Sequence, residues 1–334
     1  MVLKRTSDKL LFIGNIYLHT TLRVERMVKR ERMPFDPSQW HNIQPPEFMD
    51  VSRRFEYDDD HLRLLKRWLR LDDGAPRTIV EVGCGSGFFT EKIVAMAPGS
   101  EIVGVEPDDV LREYVEGKGL PGARFMDGTA EEIPLPTGFS DLTVCHIVLN
   151  NLPDVPGAVA EMARVTKRGG IVAAIEPIGR SVSYIPDPRL NELSERADKA
   201  FGMGVWKPRW EAMDYSGDLE NKQARYPEVF RSCGLEGVEA HGLLSVFLLS
   251  DARRDRDEIV KWLRDRLELS ERDEERTRVV LGRGGLERDL IDEFLEASKR
   301  YVRRLIEDPD RIPETHQLET VGRIVTIGFK PQES

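Results

Sequence analysis

The most constraining feature of the sequence is an alternation of short apolar segments with helical segments between residues 77 and 177. Five segments are apolar almost throughout and have the length of buried strands: 78–82, 101–105, 123–126, 141–146 and 171–175. Strands of this kind, separated by helices, are typical of a parallel sheet that is covered on both faces. The sequence therefore predicts an α/β fold with helices on both faces of the sheet.

Beyond residue 177 this alternation stops, and only two further strand-like segments follow, at 238–249 and 323–329. An insertion rich in aromatic residues and proline follows the fifth strand, and a strongly charged insertion of helical pattern separates the last two strands. We expect the first insertion to form a cap over the active site. The predicted organisation is an N-terminal helical region at 1–76, a sheet core at 77–177, a cap insertion at 178–232, and C-terminal strands at 233–334 with a helical insertion at 250–321.

The N-terminal region is predicted to consist of helices with one interruption. Apolar residues recur at three- and four-residue spacings over 1–33, and 61–71 shows a similar pattern. Between them, residues 34–50 are rich in proline and are predicted to form a surface loop. The basic stretch at 23–32 is either a solvated helix face or a site for an anionic partner.

Charge and cysteine usage narrow the classes of function. The chain has 334 residues with 49 Lys and Arg against 59 Asp and Glu, a net charge of −10. This acidic balance argues against a general nucleic-acid partner, which would require a basic face. The three cysteines are widely spaced, so we expect a reducing compartment and no metal site. The N-terminal apolar run is too short to span a bilayer, and we expect a cytoplasmic protein without a membrane partner.

A glycine-rich turn follows the first predicted strand and opens a helix. Gly83, Gly85 and Gly87 give the spacing G-x-G-x-G. Glycines allow the backbone to approach a ligand closely, and the helix start offers unpaired N–H groups to it. A nicotinamide-dinucleotide fingerprint would need a third glycine at position 88, where the chain has Phe88. The turn therefore predicts a ligand site of a different type.

Acidic residues follow the next two predicted strands. Glu106 ends the second strand and Asp127 ends the third. An acid in the first position can accept two hydrogen bonds from a ribose diol. Because the carboxyl ends of neighbouring parallel strands meet at one edge of a sheet, we expect both acids to lie in a common crevice with the glycine turn.

With these motifs the sequence resembles the class I S-adenosylmethionine-dependent methyltransferases, in particular the branch that acts on small molecules. The resemblance covers 77–177 and includes the segments at 145–154 and 160–170. It implies a seven-stranded Rossmann-like sheet whose seventh strand is antiparallel and lies beside the sixth. Family members usually join those two strands by a short turn, and the long insertion at 250–321 departs from that pattern.

The resemblance also implies S-adenosyl-L-methionine as the cofactor and assigns residues to its parts. Glu81, Gly83, Cys84, Gly85 and Gly87 match the motif that cradles the methionine part, Glu106 with Pro107 matches the ribose site, and Asp127, Gly128, Thr129 and Ala130 match the segment beside the adenine. Cys84, inside the turn, is expected to be a small buried filler.

Few residues are required for the chemistry itself, because transfer of an activated methyl group mostly needs alignment of the reactants. His146 and Glu176 are the catalytic candidates. His146 either contacts the cofactor or acts as a base, or else is a hydrogen-bonded wall residue. Glu176 either orients the acceptor or forms an ion pair with a cap residue. Tyr57 either closes over the cofactor or only packs. Further polar candidates around the crevice are Asn150, Tyr184, Asp214 and Tyr215.

Several functions stay open at this point. The first is methyl transfer to a small-molecule acceptor, and the second is methyl transfer to RNA, DNA or protein. Residues 150–153 read Asn-Asn-Leu-Pro and lack the second proline and the aromatic residue that amino-group methylation of bases commonly uses. A methyltransferase-like protein that binds a partner without catalysis is the third, and a nicotinamide oxidoreductase is the weakest. Self-association into a homo-oligomer through 250–321 also stays open.

Overall fold

A computed structural model gives the fold of the protein and describes residues 36–178, 182–207 and 224–332, except for the side chain of Trp206. The predicted helix over 1–33 with its basic stretch lies outside the described residues. So do the cap candidates Asp214 and Tyr215.

One mixed sheet forms the centre of the molecule. Its strands are β1 Thr78–Val82, β2 Glu101–Val105, β3 Ala123–Met126, β4 Ser140–His146, β5 Thr166–Pro177, β6 Ser183–Tyr184, β7 Glu236–Leu248 and β8 Leu318–Phe329. The order is β3-β2-β1-β4-β5-β8, and both β7 and the short β6 pair with β8. The first five strands are parallel, whereas β8 is antiparallel to β5, β6 and β7. The predicted seven-stranded sheet is confirmed, and the two-residue β6 is an additional strand.

Helices connect and cover these strands. They are α1 Pro46–Arg53, α2 Asp59–Trp68, α3 Phe88–Met96, α4 Asp109–Gly117, α5 Val155–Val165, α6 Pro188–Phe201, α7 Tyr226–Ser232, α8 Arg256–Arg272, α9 Glu274–Arg283 and α10 Arg288–Glu307. Many begin in the same way, with an aspartate side chain that accepts a hydrogen bond from a backbone N–H of the first turn. These capping residues are Asp58, Asp108, Asp154, Asp187 and Asp255.

The two faces of the sheet are covered by different helices, as predicted. On one face, α2 and α3 bury Leu65, Phe89 and Ile93 against β1 and β4. On the other face, α5 and α7 bury Met162 and Phe230 in a second apolar cluster. Burying both faces requires strands that are apolar throughout, which is the pattern that the sequence shows.

The prediction of a surface loop over 34–50 is wrong for the residues that the structure describes. Pro37–Asn42 forms a 3₁₀ helix and α1 begins at Pro46. Proline is well suited to the first turn of a helix, since the N–H that it lacks would have no partner there. Phe48 and Met49 of α1 are buried, so this segment belongs to the packed interior.

A third apolar cluster joins α1 to both insertions. Phe48 and Val51 of α1 pack in it with α6 from the first insertion and with α8, α9 and α10 from the second. Trp262 of α8 donates a hydrogen bond from Nε1 to the carbonyl oxygen of Val51 at 2.9 Å. The helical character predicted for 250–321 is confirmed, and these helices share one core with α1.

Candidate cofactor-binding site

A crevice lies at the carboxyl edge of β1, β2, β3 and β4. It contains about 810 Å³ of space that no protein atom fills, including the part that opens to solvent. Its walls come from the glycine turn after β1 and from the segments that follow the other three strands. The sequence-predicted motifs therefore meet in one place, because parallel strands end at the same edge of the sheet.

The glycine turn has the backbone conformation that its sequence demands. Gly83, Gly85 and Gly87 have φ angles of 67°, 55° and 79°, in the region that favours glycine. A Cβ atom on Gly83 would lie 2.6 Å from Cγ2 of Val148, so this position has no room for a side chain. Cys84 is buried and its Sγ packs against Gly104, as expected for a filler.

Glu106 is buried directly beside this turn. Its Oε2 accepts a hydrogen bond from the backbone N–H of Gly85 at 2.8 Å, and its Oε1 accepts one from the N–H of Asp108 at 3.1 Å. Burial raises the pKa of Glu106 to about 7, although both hydrogen bonds act in the opposite direction. The carboxylate thus links the end of β2 to the turn after β1 and lines the crevice together with Pro107.

Glu81 is a second buried carboxylic acid on the crevice wall. Its Oε2 accepts a hydrogen bond from the Oγ1 of Thr90 at 2.6 Å. Burial raises the pKa of Glu81 to about 8, and the nearby charge of Glu106 adds to this effect. In such surroundings a ligand with a positive charge would stabilise the ionised form of the acid.

The segment after β3 contributes three of its four predicted residues to the wall. Gly128, Thr129 and Ala130 line the crevice. The side chain of Asp127 is 77% exposed, and its Oδ1 lies 3.5 Å from Nη1 of Arg112. The structure thus places Asp127 at the end of β3, as predicted, with its carboxylate directed to solvent.

His146, at the end of β4, forms part of a buried polar group. Its Nε2 lies 2.9 Å from the Tyr57 hydroxyl, and its ring stacks on Phe89 at 4.8 Å. Burial lowers the pKa of His146 to about 4, although the neighbouring Glu56 acts in the opposite direction. His146 is therefore uncharged at neutral pH. It lines the crevice, whereas Tyr57 lies behind it.

Glu56 connects this group to the far side of the sheet. Its Oε1 forms an ion pair with Nη2 of Arg323 on β8 at 2.5 Å and lies 3.7 Å from Nε2 of His146. Burial would raise the pKa of Glu56, but the charge of Arg323 and the neighbouring His146 lower it to about 2. This ion pair could not be predicted from the sequence, because the two residues are far apart in the chain.

Glu176 is fully buried and organises the turn after β4. Its Oε1 accepts hydrogen bonds from the backbone N–H groups of Val148 and Leu149, both at 2.8 Å, and its Oε2 accepts one from Asn150 at 3.3 Å. The preceding Ile147 has a φ angle of 60°, which branched residues rarely adopt. Glu176 thus holds a strained turn that lines the crevice, and it does not line the crevice itself.

The roof of the crevice comes from the segment that was predicted to be a loop. Trp40 of the 3₁₀ helix and Met49 and Arg53 of α1 line the crevice from this side. The backbone N–H of His41 donates to Oδ2 of Asp108 at 2.6 Å, which ties the 3₁₀ helix to the loop after β2. No local signal marked these residues, since their contacts depend on the tertiary fold.

The described part of the predicted cap insertion contributes no residue to the crevice wall. Among residues 182–207 and 224–232, none lines the crevice. Tyr184 is 52% exposed, and Asn150 accepts a hydrogen bond from the hydroxyl of Tyr226 at 2.5 Å. Coverage of the crevice by the remaining residues of this insertion stays a prediction.

Comparison with known families agrees with this geometry. Residues 80–174 match the family model described as methyltransferase domain. An uncharacterized methyltransferase, YcgJ of Bacillus subtilis, is 27% identical over 150 residues, which are 43% of this chain and 58% of that protein. Demethylmenaquinone methyltransferase of Geobacillus stearothermophilus is 25% identical over 158 residues, 45% of this chain and 65% of that protein. The chain thus spans about half to two thirds of the length of these two relatives.

Two solved structures are partly similar to this chain at low sequence identity. The crystal structure of YcgJ from Bacillus subtilis has a TM-score of 0.42 at 18% identity and covers 81% of this chain and 100% of that one. A protein of Anabaena variabilis that is named as a putative methyltransferase from an antibiotic biosynthesis pathway has a TM-score of 0.47 at 18% identity, and the match covers 82% of this chain and 99% of that one. Together with the strand order and the glycine turn, the family match identifies residues 80–174 as a methyltransferase domain.

Proposed function

We propose that the chain transfers a methyl group from S-adenosylmethionine to a small-molecule acceptor. The observation that carries the proposal is the pair of buried carboxylic acids, Glu81 and Glu106, on either side of the glycine turn in a roofed crevice. Such a pair suits a ligand that has cationic groups at one end and a ribose diol at the other.

The residues present fit this cofactor. An added Cβ on Gly85 would meet only Sδ of Met49, at 3.4 Å, so the backbone there is open to close approach of the methionine part. Glu106, beside this turn, would accept hydrogen bonds from the ribose hydroxyls. Gly128 and Thr129 would line the adenine side. Bound S-adenosylmethionine supplies a methyl group that is already activated on a sulfonium. The chain contributes orientation of the two reactants and exclusion of water. Together these effects can supply a large part of the lowering of the activation barrier.

His146 is the residue that we propose to meet the acceptor. It lines the crevice, and the Tyr57 hydroxyl fixes its ring. As an uncharged imidazole it can exchange a hydrogen bond with a hydroxyl or amine of the acceptor. For Glu176 we propose a positioning role, because its carboxylate holds the backbone of the turn that follows His146.

A small acceptor is favoured by two observations. The crevice is lined by Trp40 and Met49 beside the glycine turn, which gives it apolar walls, and the net charge of −10 disfavours a polyanionic substrate. The relative from Geobacillus stearothermophilus is named for a small molecule, demethylmenaquinone. Within the described residues no helix is long and apolar enough to cross a membrane. A cytoplasmic location belongs to the proposal.

Isothermal titration with S-adenosylmethionine and S-adenosylhomocysteine, with NAD as the control ligand, tests the proposal. We expect micromolar binding of the first two and none of NAD. The Glu106→Ala variant should lose affinity, whereas Glu116→Gln, on the exposed side of α4, should not. Absence of binding by both adenosyl ligands would contradict the cofactor assignment. Binding without methyl transfer to any metabolite in a labelled-methyl screen would favour a non-catalytic role.

A further inference from the structure

A second cavity lies on the other side of α1 from the crevice. It contains about 640 Å³ of space that no protein atom fills, including the part that opens to solvent. Its walls come from α1 and from α8 and α10 of the second insertion, and they are mostly apolar, with side chains such as Phe48, Val51, Leu269 and Val302. Because protein interiors contain few voids larger than a water molecule, a cavity of this size within an apolar cluster is a candidate for a ligand site.

The two cationic side chains on the cavity wall are already paired with acids. Lys299 Nζ lies 2.8 Å from Oε2 of Glu274 and 2.5 Å from Oε1 of Glu296. Nη1 of Arg266 lies 3.8 Å from Oε1 of Glu319. A charged ligand group would lose its hydration here and would have to compete with these existing ion pairs. The wall therefore favours an uncharged ligand.

One polar atom on the wall has no hydrogen bond to the described residues. Ser298 lines the cavity from α10, and its Oγ is buried without such a partner. A buried hydroxyl costs free energy unless it is hydrogen-bonded. A ligand with one hydroxyl or carbonyl group would supply that bond, while the rest of the ligand would contact apolar side chains.

Helix α1 separates this cavity from the crevice and contacts both. Phe48 and Val51 line the cavity, whereas Met49 lines the crevice. Asp50 accepts a hydrogen bond from the Oγ of Ser86 at 2.7 Å, which anchors α1 to the glycine turn. A ligand that packs against Phe48 and Val51 would therefore restrain the helix that forms part of the crevice roof.

We propose that the cavity between α1, α8 and α10 is a second binding site, for a compact uncharged molecule with an apolar body and one hydroxyl or carbonyl group. Ser298 Oγ forms the hydrogen bond, and the apolar body packs among Val51, Leu269 and Val302. The occupant restrains α1 and thereby strengthens ligand binding in the crevice. The second site is independent of the proposed function, and only this coupling rests on it, because the coupling assumes an adenosyl ligand in the crevice.

The test of the site uses cyclohexanol as the probe and two charged analogues of similar shape, cyclohexylamine and cyclohexanecarboxylate. Methyl NMR spectra of the full chain follow the resonances of Val51, Leu269 and Val302 during each titration. Cyclohexanol should shift them saturably, in the millimolar range expected for so small a ligand. The two charged analogues should bind at least about tenfold more weakly, because the wall offers them no free partner charge.

Variants of the wall separate binding in the cavity from binding elsewhere. Val302→Trp fills the cavity and should abolish the cyclohexanol shifts of Val51 and Leu269. Ser298→Ala should weaken cyclohexanol binding by about three- to tenfold, the range for one neutral hydrogen bond. The matched control is Ser232→Ala on α7, an exposed serine whose Oγ donates to the carbonyl oxygen of Val229, and it should bind like wild type. Should Val302→Trp fail to fold, Ser270→Leu on α8 is the second filling variant.

The coupling is measured by titrating S-adenosylhomocysteine with and without saturating cyclohexanol. Its affinity should rise about fivefold or more in wild type, the lower end of the range for coupled sites, and cyclohexanol should not change it in Val302→Trp. Shifts that do not saturate, an equal response to the charged analogues, or binding that persists in the filled variants overturns the second site. A crevice affinity that cyclohexanol leaves unchanged in wild type overturns the coupling. If wild type binds cyclohexanol as expected but not S-adenosylhomocysteine, the proposed function fails and the second site stands.

Discussion

Replacing Glu81 with glutamine tests whether this buried acid lowers the free energy of unfolding of the ligand-free protein. The Glu81 side chain is 1% exposed, and its polar partner is the hydroxyl of Thr90 at 2.6 Å. Glutamine has nearly the same shape, and its carbonyl can accept the same hydrogen bond. The substitution therefore removes the ionisation of the side chain with little change in packing.

The size of the effect follows from the pKa of Glu81. Burial raises this pKa from 4.5 to about 8 in the folded protein. Between these two values the unfolded chain has lost the proton and the folded chain retains it, so the free energy of unfolding falls as pH rises. Each pH unit in this window costs about 1.4 kcal/mol, which gives roughly 4 kcal/mol between pH 5 and pH 8. The glutamine variant lacks this contribution.

Urea unfolding at several pH values measures the difference. Relative to wild type, Glu81→Gln should gain about 4 kcal/mol in free energy of unfolding from pH 5 to pH 8 and little beyond pH 9. The exposed Glu116 of α4 offers a control, and Glu116→Gln should follow wild type at every pH. If the difference between Glu81→Gln and wild type changes by less than about 1 kcal/mol over this range, the reasoning from burial is refuted.

The same Glu81→Gln substitution, which should raise the free energy of unfolding, should weaken ligand binding. A cationic ammonium beside Glu81 favours the ionised form of the acid, so binding of S-adenosylhomocysteine should release protons below pH 8. The affinity of wild type should then increase with pH up to about 8, where Glu81 is ionised before the ligand arrives. Calorimetry in buffers of different ionisation enthalpy measures the released protons. Glu81→Gln should release fewer protons and bind more weakly.

Three further substitutions test other parts of the site. Glu106→Ala should weaken binding of S-adenosylhomocysteine by about 1.5–3 kcal/mol, measured by calorimetry, because the ribose loses a charged hydrogen-bond partner; an unchanged affinity would contradict the ribose assignment. Gly83→Ala should lower the melting temperature, since its Cβ would lie 2.6 Å from Val148, and Val148→Ala should restore part of the loss; absence of any rescue would contradict the steric cause. Glu176→Ala should lower the free energy of unfolding by about 3 kcal/mol or more, measured in urea, because it leaves buried N–H groups without an acceptor; a loss below about 1 kcal/mol would contradict the positioning role.

Local signals in the sequence are sufficient to predict the sheet and one wall of the crevice. The apolar strands can be recognised because each is buried on both faces, and the glycine turn because its backbone conformation excludes other residues. The position of Glu106 on the crevice wall could be predicted because it ends β2, at the edge where neighbouring parallel strands meet. All of these signals lie within a few residues of the feature that they predict.

The roof of the crevice and the buried ion pair behind His146 could not be predicted, because their residues are brought together only by the tertiary fold. Glu56 precedes α2 and Arg323 lies on β8, yet their side chains meet at 2.5 Å. Arg53 has no motif around it, and the prolines that begin α1 suggested a loop. A proline at the start of a helix and a proline in a loop look alike until the residues that pack on the helix are known.

The helices of the two insertions are connected to the crevice through α1. Phe48 and Val51 on one side of α1 are buried among α6, α8 and α10, while Met49 and Arg53 on its other side line the crevice. The role of 250–321 stayed open from the sequence, and the structure shows that these helices supply the apolar core that holds α1 over the glycine turn. A substitution that loosens that core should weaken ligand binding even though it touches no lining residue. The insertion at 250–321 lies at the same edge of the sheet as the crevice, and by packing against α1 it stabilises the roof of the crevice.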